Sequence, residues 1–492
     1  MKLLTFIMAA VLLCCGDGLF AQISPDHSYE MSAYGTVGHS ETILYNYHYR
    51  PKVYDTQYLT IFSKEGEEKS TIEIKSKQGA IIEACFNLGK NTVFFFELNY
   101  SKDILFLVVD ENGNEHARNQ ITYPGYNSVE ITPAGEDRFC LFADVKIKKR
   151  GIQVECFDLG LNSVWKYMNI PEKGKFHLKA AGTNKNGEAA FLYMVKNTDY
   201  RMATLTADGT LIGDEPVSAD GLRHYSPYRM QFNADNSFYL FADYGSSNEE
   251  VHNTRPIGMS IKKFDRTAKE IQNEKLVFEE VAKRFGDLKN VVEFTPNDVP
   301  CLRLVDVQIL KGKETLIFES YLFNTFSKTT TKNGQPTTIV YKSIILKDLY
   351  LLELGNEMEE AHRIWKSTRK LEFEGVKFYD ATDLCGLIEA SHAFGYQGLI
   401  GENIVIKGVG QNFEYLNTVH FNENWEDVST RRYFGKPVSE HSGGPKNVQQ
   451  YKLELGRPIS RLGNGQVICT GAGGLFYRYN KEFKQLELTQ IN

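Results

Sequence analysis

Self-similarity constrains this chain more than any single motif. The stretch Tyr126 to Ile170 shows the unit. It reads Tyr126-Asn-Ser-Val-Glu-Ile, a turn at Gly135-Glu136-Asp137, then Arg138-Phe-Cys-Leu-Phe-Ala. A basic loop follows, then Gly151-Ile-Gln-Val-Glu-Cys-Phe-Asp158, a turn at Gly160-Leu161-Asn162, and Ser163-Val-Trp-Lys-Tyr167. Four short β-rich runs separated by turn residues spell an antiparallel meander. Aromatic-rich second strands recur near Thr42, Thr92, Arg138, Glu188, Ser237, Thr315, Asn403 and Gln466. Third strands end near Ser63, Asp110, Asp158, Ala207 and Asp265, at steps of 47, 48, 49 and 58 residues, and again near Glu353, Asn422 and Asn480.

A four-stranded sheet cannot bury both faces alone, so like sheets must stack on one another. Radial stacking predicts an all-β chain, a β-propeller of seven or eight four-stranded blades. It also reconciles 492 residues with one domain over 22–492, because a propeller grows by repetition. The mature chain thus resembles secreted bacterial β-propeller proteins, at the level of the repeat. Ala207-Asp-Gly-Thr210 is similar, as a turn, to the Asp-box of sialidase-like propellers.

Met1-Lys2 followed by Leu3 to Leu13 reads as a secretory signal over 1–21, with cleavage after Gly18 or Ala21. Export to periplasm, cell surface or medium is the expectation. Cys14 or Cys15 offers a minor alternative, a lipid anchor. Six cysteines remain: Cys85, Cys140, Cys156, Cys301, Cys385 and Cys469. Cys140 and Cys156 flank one hairpin, so they form either a disulfide or two small buried residues. No spacing suits a metal and no cofactor is implied. The net charge of −6 gives no bulk case for nucleic acid.

Tyr45, Tyr47 and Tyr49 share one strand face and read as packing between blades. Insertions are expected at about 245–256, 266–300, 323–338, 366–395 and 426–450. The second holds a helical stripe from Leu276 through Phe278, Val281, Ala282 and Phe285 to Leu288. Phe323 to Thr338 reads as a mobile loop. In blade topology all these segments fall on one rim, where binding loops usually sit.

That rim also receives Tyr123, Tyr126, His177, Arg223, His224, Tyr225, Tyr228 and Arg229, the candidate binding residues. Guanidinium forks and aromatic rings suit a carboxylate or a sugar. No metalloprotease, nucleophile-elbow or phosphate-loop pattern is present. Asp110-Glu-Asn112-Gly-Asn114 alternates like a calcium loop, but its glycine is misplaced and it reads as a hairpin turn. The expected function is a binding or scaffolding protein that engages a protein or glycan through the loop-rich rim. The alternative is a glycan hydrolase or lyase at the channel mouth.

Overall fold

The computed structural model describes residues 20–22, 27–30, 35–39, 43–49, 56–63, 68–76, 80–98, 103–122, 129–146, 149–196, 199–245, 255–284, 299–332, 335–353, 361–374, 381, 384–385, 395–400, 403–409, 414–421, 427–434, 448–452, 466–470, 473–480 and 485–491. The fold is all-β apart from short helical pieces. The chain divides into two compact units, Met31–Asp287 and Met1–Glu30 with Leu288–Asn492. Two N-terminal strands, β1 (Phe20–Gln22) and β2 (His27–Glu30), belong to the second.

Five four-stranded antiparallel sheets follow one another in the first unit. They are β3 (Gly35–His39) to β6 (Glu68–Lys75) through β4 (Leu44–Tyr49) and β5 (Thr56–Phe62); β7 (Ala80–Leu88), β8 (Asn91–Leu98), β9 (Asp103–Val109) and β10 (Glu115–Thr122); β11 (Val129–Pro133), β12 (Arg138–Lys146), β13 (Arg150–Asp158) and β14 (Ser163–Asn169); β15 (His177–Thr183), β16 (Ala189–Lys196), β17 (Asp199–Leu205) and β18 (Leu211–Val217); and β19 (Arg223–Phe232), β20 (Phe238–Gly245), β21 (Pro256–Phe264) and β22 (Glu270–Val277). Each sheet pairs its strands in chain order. The first strands β7, β11, β15 and β19 lie side by side. These are propeller blades, with first strands innermost.

Period-two geometry explains the unbroken apolar runs. Phe94 and Phe96 pack toward the first blade, with Tyr45 against Phe94 at 5.0 Å, while Phe95 packs toward the third. Phe139, Leu141 and Ala143 face back, and Cys140 and Phe142 face forward. A strand buried on both faces reads as continuously apolar. Tyr45 and Tyr47 are indeed interblade packing, and the Tyr47 hydroxyl donates to the Ala80 carbonyl at 2.8 Å. Cys140 and Cys156 are register partners, present as free thiols. Cys140 donates to the Cys156 sulfur, which raises its own thiol and lowers that of Cys156.

One polar contact repeats between blades. A side chain on the outer strands of the first three blades donates to a carbonyl in the next blade's outer turn: Ser70 to Gly113, Asn119 to Leu161 and Trp165 to Ala207, at separations of 43, 42 and 42 residues. The turns are alike. Gly113, Leu161 and Gly209 each occupy a left-handed position at φ of 85°, 62° and 82°. Asp110 thus closes a hairpin turn, its carboxylate accepting the N–H groups of Asn112 and Asn114.

The second unit holds three sheets. β23 (Cys301–Leu310), β24 (Lys313–Lys332), β25 (Gln335–Glu353) and β26 (Ala361–Glu374) form one, extended by parallel β31 (Val448–Lys452). β27 (Tyr396–Ile400), β28 (Asn403–Val409), β29 (Glu414–Phe421) and β30 (Asp427–Phe434) form another, extended by parallel β1. β32 (Gln466–Thr470), β33 (Gly473–Asn480) and β34 (Gln485–Ile491) take their fourth strand from the N-terminal β2. That donation shifts the landmarks of the last repeat. Gln466 opens a first strand rather than a second, and Asn480 ends a second rather than a third.

The insertions need correcting. Phe323 to Thr338 is not a mobile loop but the continuation of β24 and β25, in register as far as Lys332 opposite Gln335. Its exposed threonines, Thr325, Thr329, Thr331 and Thr338, mark strand rather than irregular chain. Segments 266–300, 366–395 and 426–450 include the fourth strands β22, β26 and β30, whose polar side chains read as loop. Residues 246–254 lie outside the described residues. The helix is shorter than its stripe: α1 spans Phe278–Arg284 and buries Phe278, Val281 and Ala282. Leu276 belongs to β22, and Phe285 and Leu288 lie outside the described residues.

Gly209 tests the interblade contact. A Cβ there meets the Trp165 ring at 2.6 Å and sits at φ +82°, whereas Gly174, at φ +87°, has open space around it. Gly174→Ala should cost only the backbone term, about 1–2 kcal/mol. Gly209→Ala should cost at least about 1 kcal/mol more, and thermal melting with Trp165→Ala as partner mutation should show that excess as coupling.

Candidate functional site

The second and third strands of the third blade meet the first strand of the fourth at one rim. Asp144, near the end of β12, is buried at 2% exposure. Its Oδ1 accepts the Leu178 N–H at 2.7 Å, capping the start of β15. Its Oδ2 lies 3.4 Å from Nδ1 of His177. Arg150, at the start of β13, brings Nη1 to 3.5 Å from the same nitrogen. The Arg150 carbonyl accepts the Phe176 N–H at 3.0 Å, fixing the approach to His177.

This geometry makes Nδ1 of His177 a two-way contact. A neutral ring protonated on Nε2 accepts from Arg150, and an imidazolium donates to Asp144. Burial raises the Asp144 carboxyl, opposed by the Leu178 N–H, His177 and Arg150.

Glu130 stands on the neighbouring inner strand. Burial pushes its carboxyl up to about 7, opposed by a hydrogen bond from the Ala181 N–H. Strands β11 and β15 are also joined by Thr183 Oγ1 to Thr132 Oγ1 at 2.9 Å. A carboxyl titrating near neutrality can take or give a proton at physiological pH.

The remaining expected residues are dispersed in role. Arg223 is exposed at the start of β19, opposite Gly245. His224 adopts φ +51° where the register slips between Arg223 and Ser226. Tyr225 is buried, its ring 5.5 Å from that of Tyr200 and its carbonyl accepting the Tyr200 hydroxyl. The Tyr228 hydroxyl points at the Met259 sulfur, 3.6 Å away, and Arg229 is half-buried opposite Phe241. Tyr123 and Tyr126 lie outside the described residues.

The structure therefore joins His177 to Asp144 and Arg150, which the residue pattern had not singled out. One signal for Asp144 exists. The run Leu141-Phe-Ala-Asp144 recurs as Leu240-Phe-Ala-Asp243, an acid inside a strand buried on both faces. Glu319 does the same work in the second unit, accepting the Gly395 N–H at 2.7 Å at the approach to β27. Elsewhere, a groove of about 750 Å³ runs between β6 and β10, where Arg118 is already paired with Glu115. Among the described residues no three His, Cys, Asp or Glu converge as a metal site. No helix among them is long and apolar enough to cross a membrane.

No family model matches the chain, and no curated protein matches it in sequence. Solved structures of similar architecture include an oligogalacturonate lyase in complex with manganese, at TM-score 0.40 and 10% identity over 83% of this chain and 96% of that one. A prolyl endopeptidase matches at 0.36 and 12% over 80% of this chain, which spans 55% of that protein's length. A eukaryotic initiation factor matches at 0.36 and 9% over 85% and 93%. At such identities none of these assigns an activity to this chain.

Glu130 gives a pH test. Its folded carboxyl holds a proton up to about 7, above the ordinary carboxylate range of the unfolded chain. The folded state therefore binds more protons between the two values, and stability from this group falls as pH rises through that window. Glu130→Gln should remove the decline, so its melting temperature should gain on the parent between about pH 4.5 and 7 and keep that gain above.

Proposed function

We propose that this protein is an exported binding protein whose partner, a protein or a glycan, docks on the ribbon formed by β24 and β25. The observation that supports this is the length of those strands. They run 20 and 19 residues, where strands of the first unit run between 5 and 10. Thr325, Ser327, Thr329, Thr331, Gln335, Pro336 and Thr338 are exposed. The outer ribbon is held by the stacked Phe326 and Tyr341 rings, 5.5 Å apart and 9° from parallel, and by the Thr329–Thr338 side-chain contact at 3.1 Å. A two-stranded ribbon in water is marginal by itself, and a partner supplies the missing burial. Long elements on a rigid scaffold are where recognition concentrates.

A second reading, a glycan hydrolase or lyase acting at the inner strands, is favoured by Glu130 and the His177–Arg150 contact. Export rests on the Met1–Leu13 pattern, and N-terminal sequencing of mature protein checks it.

Replacing Phe326–Tyr341 by Asn-Gly joins Thr325 to Lys342, which are register partners. The melting temperature should move by no more than ~3 °C, because none of the excised residues whose side chains are described is buried. Binding found on a glycan array or by cross-linking to a protein partner should disappear. Retained binding would sink the ribbon reading. Turnover of a bound glycan that is lost in Glu130→Gln would favour the enzyme instead.

A further inference from the structure

Cys140 and Cys156 stand opposite one another on β12 and β13. Register partners in an antiparallel ladder hold their Cα atoms about 4.5–5.5 Å apart, inside the span of about 4.4–6.8 Å that a disulfide bridges. Both side chains project from the same face of the third blade into one apolar cluster with Phe142, Val154, Phe191 and Leu205. The two sulfurs are already joined by the hydrogen bond from Cys140 to Cys156. No other register pair among the described residues joins two cysteines. Cys85 is opposite Phe94, Cys301 opposite Tyr321 and Cys469 opposite Gly474.

We infer that Cys140 and Cys156 are the site of a disulfide that closes as the chain folds in the presence of a disulfide oxidant and braces the third blade. The Cys156 thiolate attacks one sulfur of the oxidant, such as glutathione disulfide, whose S–S bond breaks to release a thiol. The Cys140 thiolate then attacks Cys156 Sγ, the mixed disulfide breaks, and a second thiol leaves. The two protons and two electrons lost by the cysteines are gained by the two released thiols. Timing follows from burial. Both thiols are 0% exposed, packed against the fourth blade. An oxidant therefore reaches them before that blade packs, or afterwards only through local opening. The stapled hairpin is the one that carries Asp144 and Arg150 to His177. A slip of one residue between β12 and β13 would turn one strand's side chains to the opposite face, and a covalent tie forbids that slip. This inference is independent of the ribbon.

The test synthesises the full chain in a cell-free system with a glutathione buffer, oxidising in one arm and reducing in the other. Protease-resistant product is acid-quenched, denatured, alkylated without reductant and digested, so that only folded chain is read. In the oxidising arm Cys140 and Cys156 should escape alkylation and appear as linked peptides, Phe139–Lys146 with Gly151–Lys166. Alkylation of both, or pairing of either with another cysteine, would overturn the inference. The bridged protein should melt about 5 °C above the reduced one. The double variant Cys140→Ala, Cys156→Ala should melt alike in both arms. A bridged form that melts no higher, or an equal shift in the variant, would overturn the brace. Glutathione disulfide added to folded, reduced protein should close the bond at least about tenfold more slowly than during synthesis. Equal rates would overturn closure on folding.

Discussion

The first four blades of the first unit are locked by one repeated contact, an outer-strand side chain donating to the next blade's outer turn. The donors differ: a hydroxyl at Ser70, an amide at Asn119 and an indole N–H at Trp165. The acceptor is always a carbonyl in a tight turn with a left-handed residue. The backbone geometry is therefore conserved between blades while the side chain is free to vary. Hydrophobic burial between blades is larger in total but has no direction. The hydrogen bond sets the register of one sheet against the next.

A second polar device works nearer the inner strands. Asp144, near the end of β12, and Glu319, within β24, follow apolar runs of second strands and accept N–H groups at the start of the following sheet. A buried acid without such partners would be costly. Once they are made, the acid fixes where the next inner strand begins. At the third blade this places His177 beside Asp144 and within reach of Arg150. The candidate chemistry of that rim grows out of a structural cap.

The second unit handles strand edges differently. Three of its sheet edges are covered by strands from elsewhere in the chain: β1 on β30, β2 on β34 and β31 on β26. Covered edges do not recruit other chains.

Much of the architecture was legible in the residues. The spacing of Asp110, Asp158 and Ala207 marks real turns, and runs such as Thr92-Val-Phe-Phe-Phe mark strands buried on both faces, because period-two packing leaves no polar position there. The fourth strand Ser163–Asn169 was legible, but β22, β26 and β30 were not, since an outer strand such as Glu270–Val277 exposes most of its side chains and looks like loop. Nor was the ribbon, because Thr and Lys favour exposed strand and loop alike, and only pairing in space tells them apart. The sequence by itself determined the repeated meander and the alternation of its core. Tertiary structure alone decided which polar residues meet, because His177, Asp144 and Arg150 are brought together by strands whose register is set by neighbouring blades.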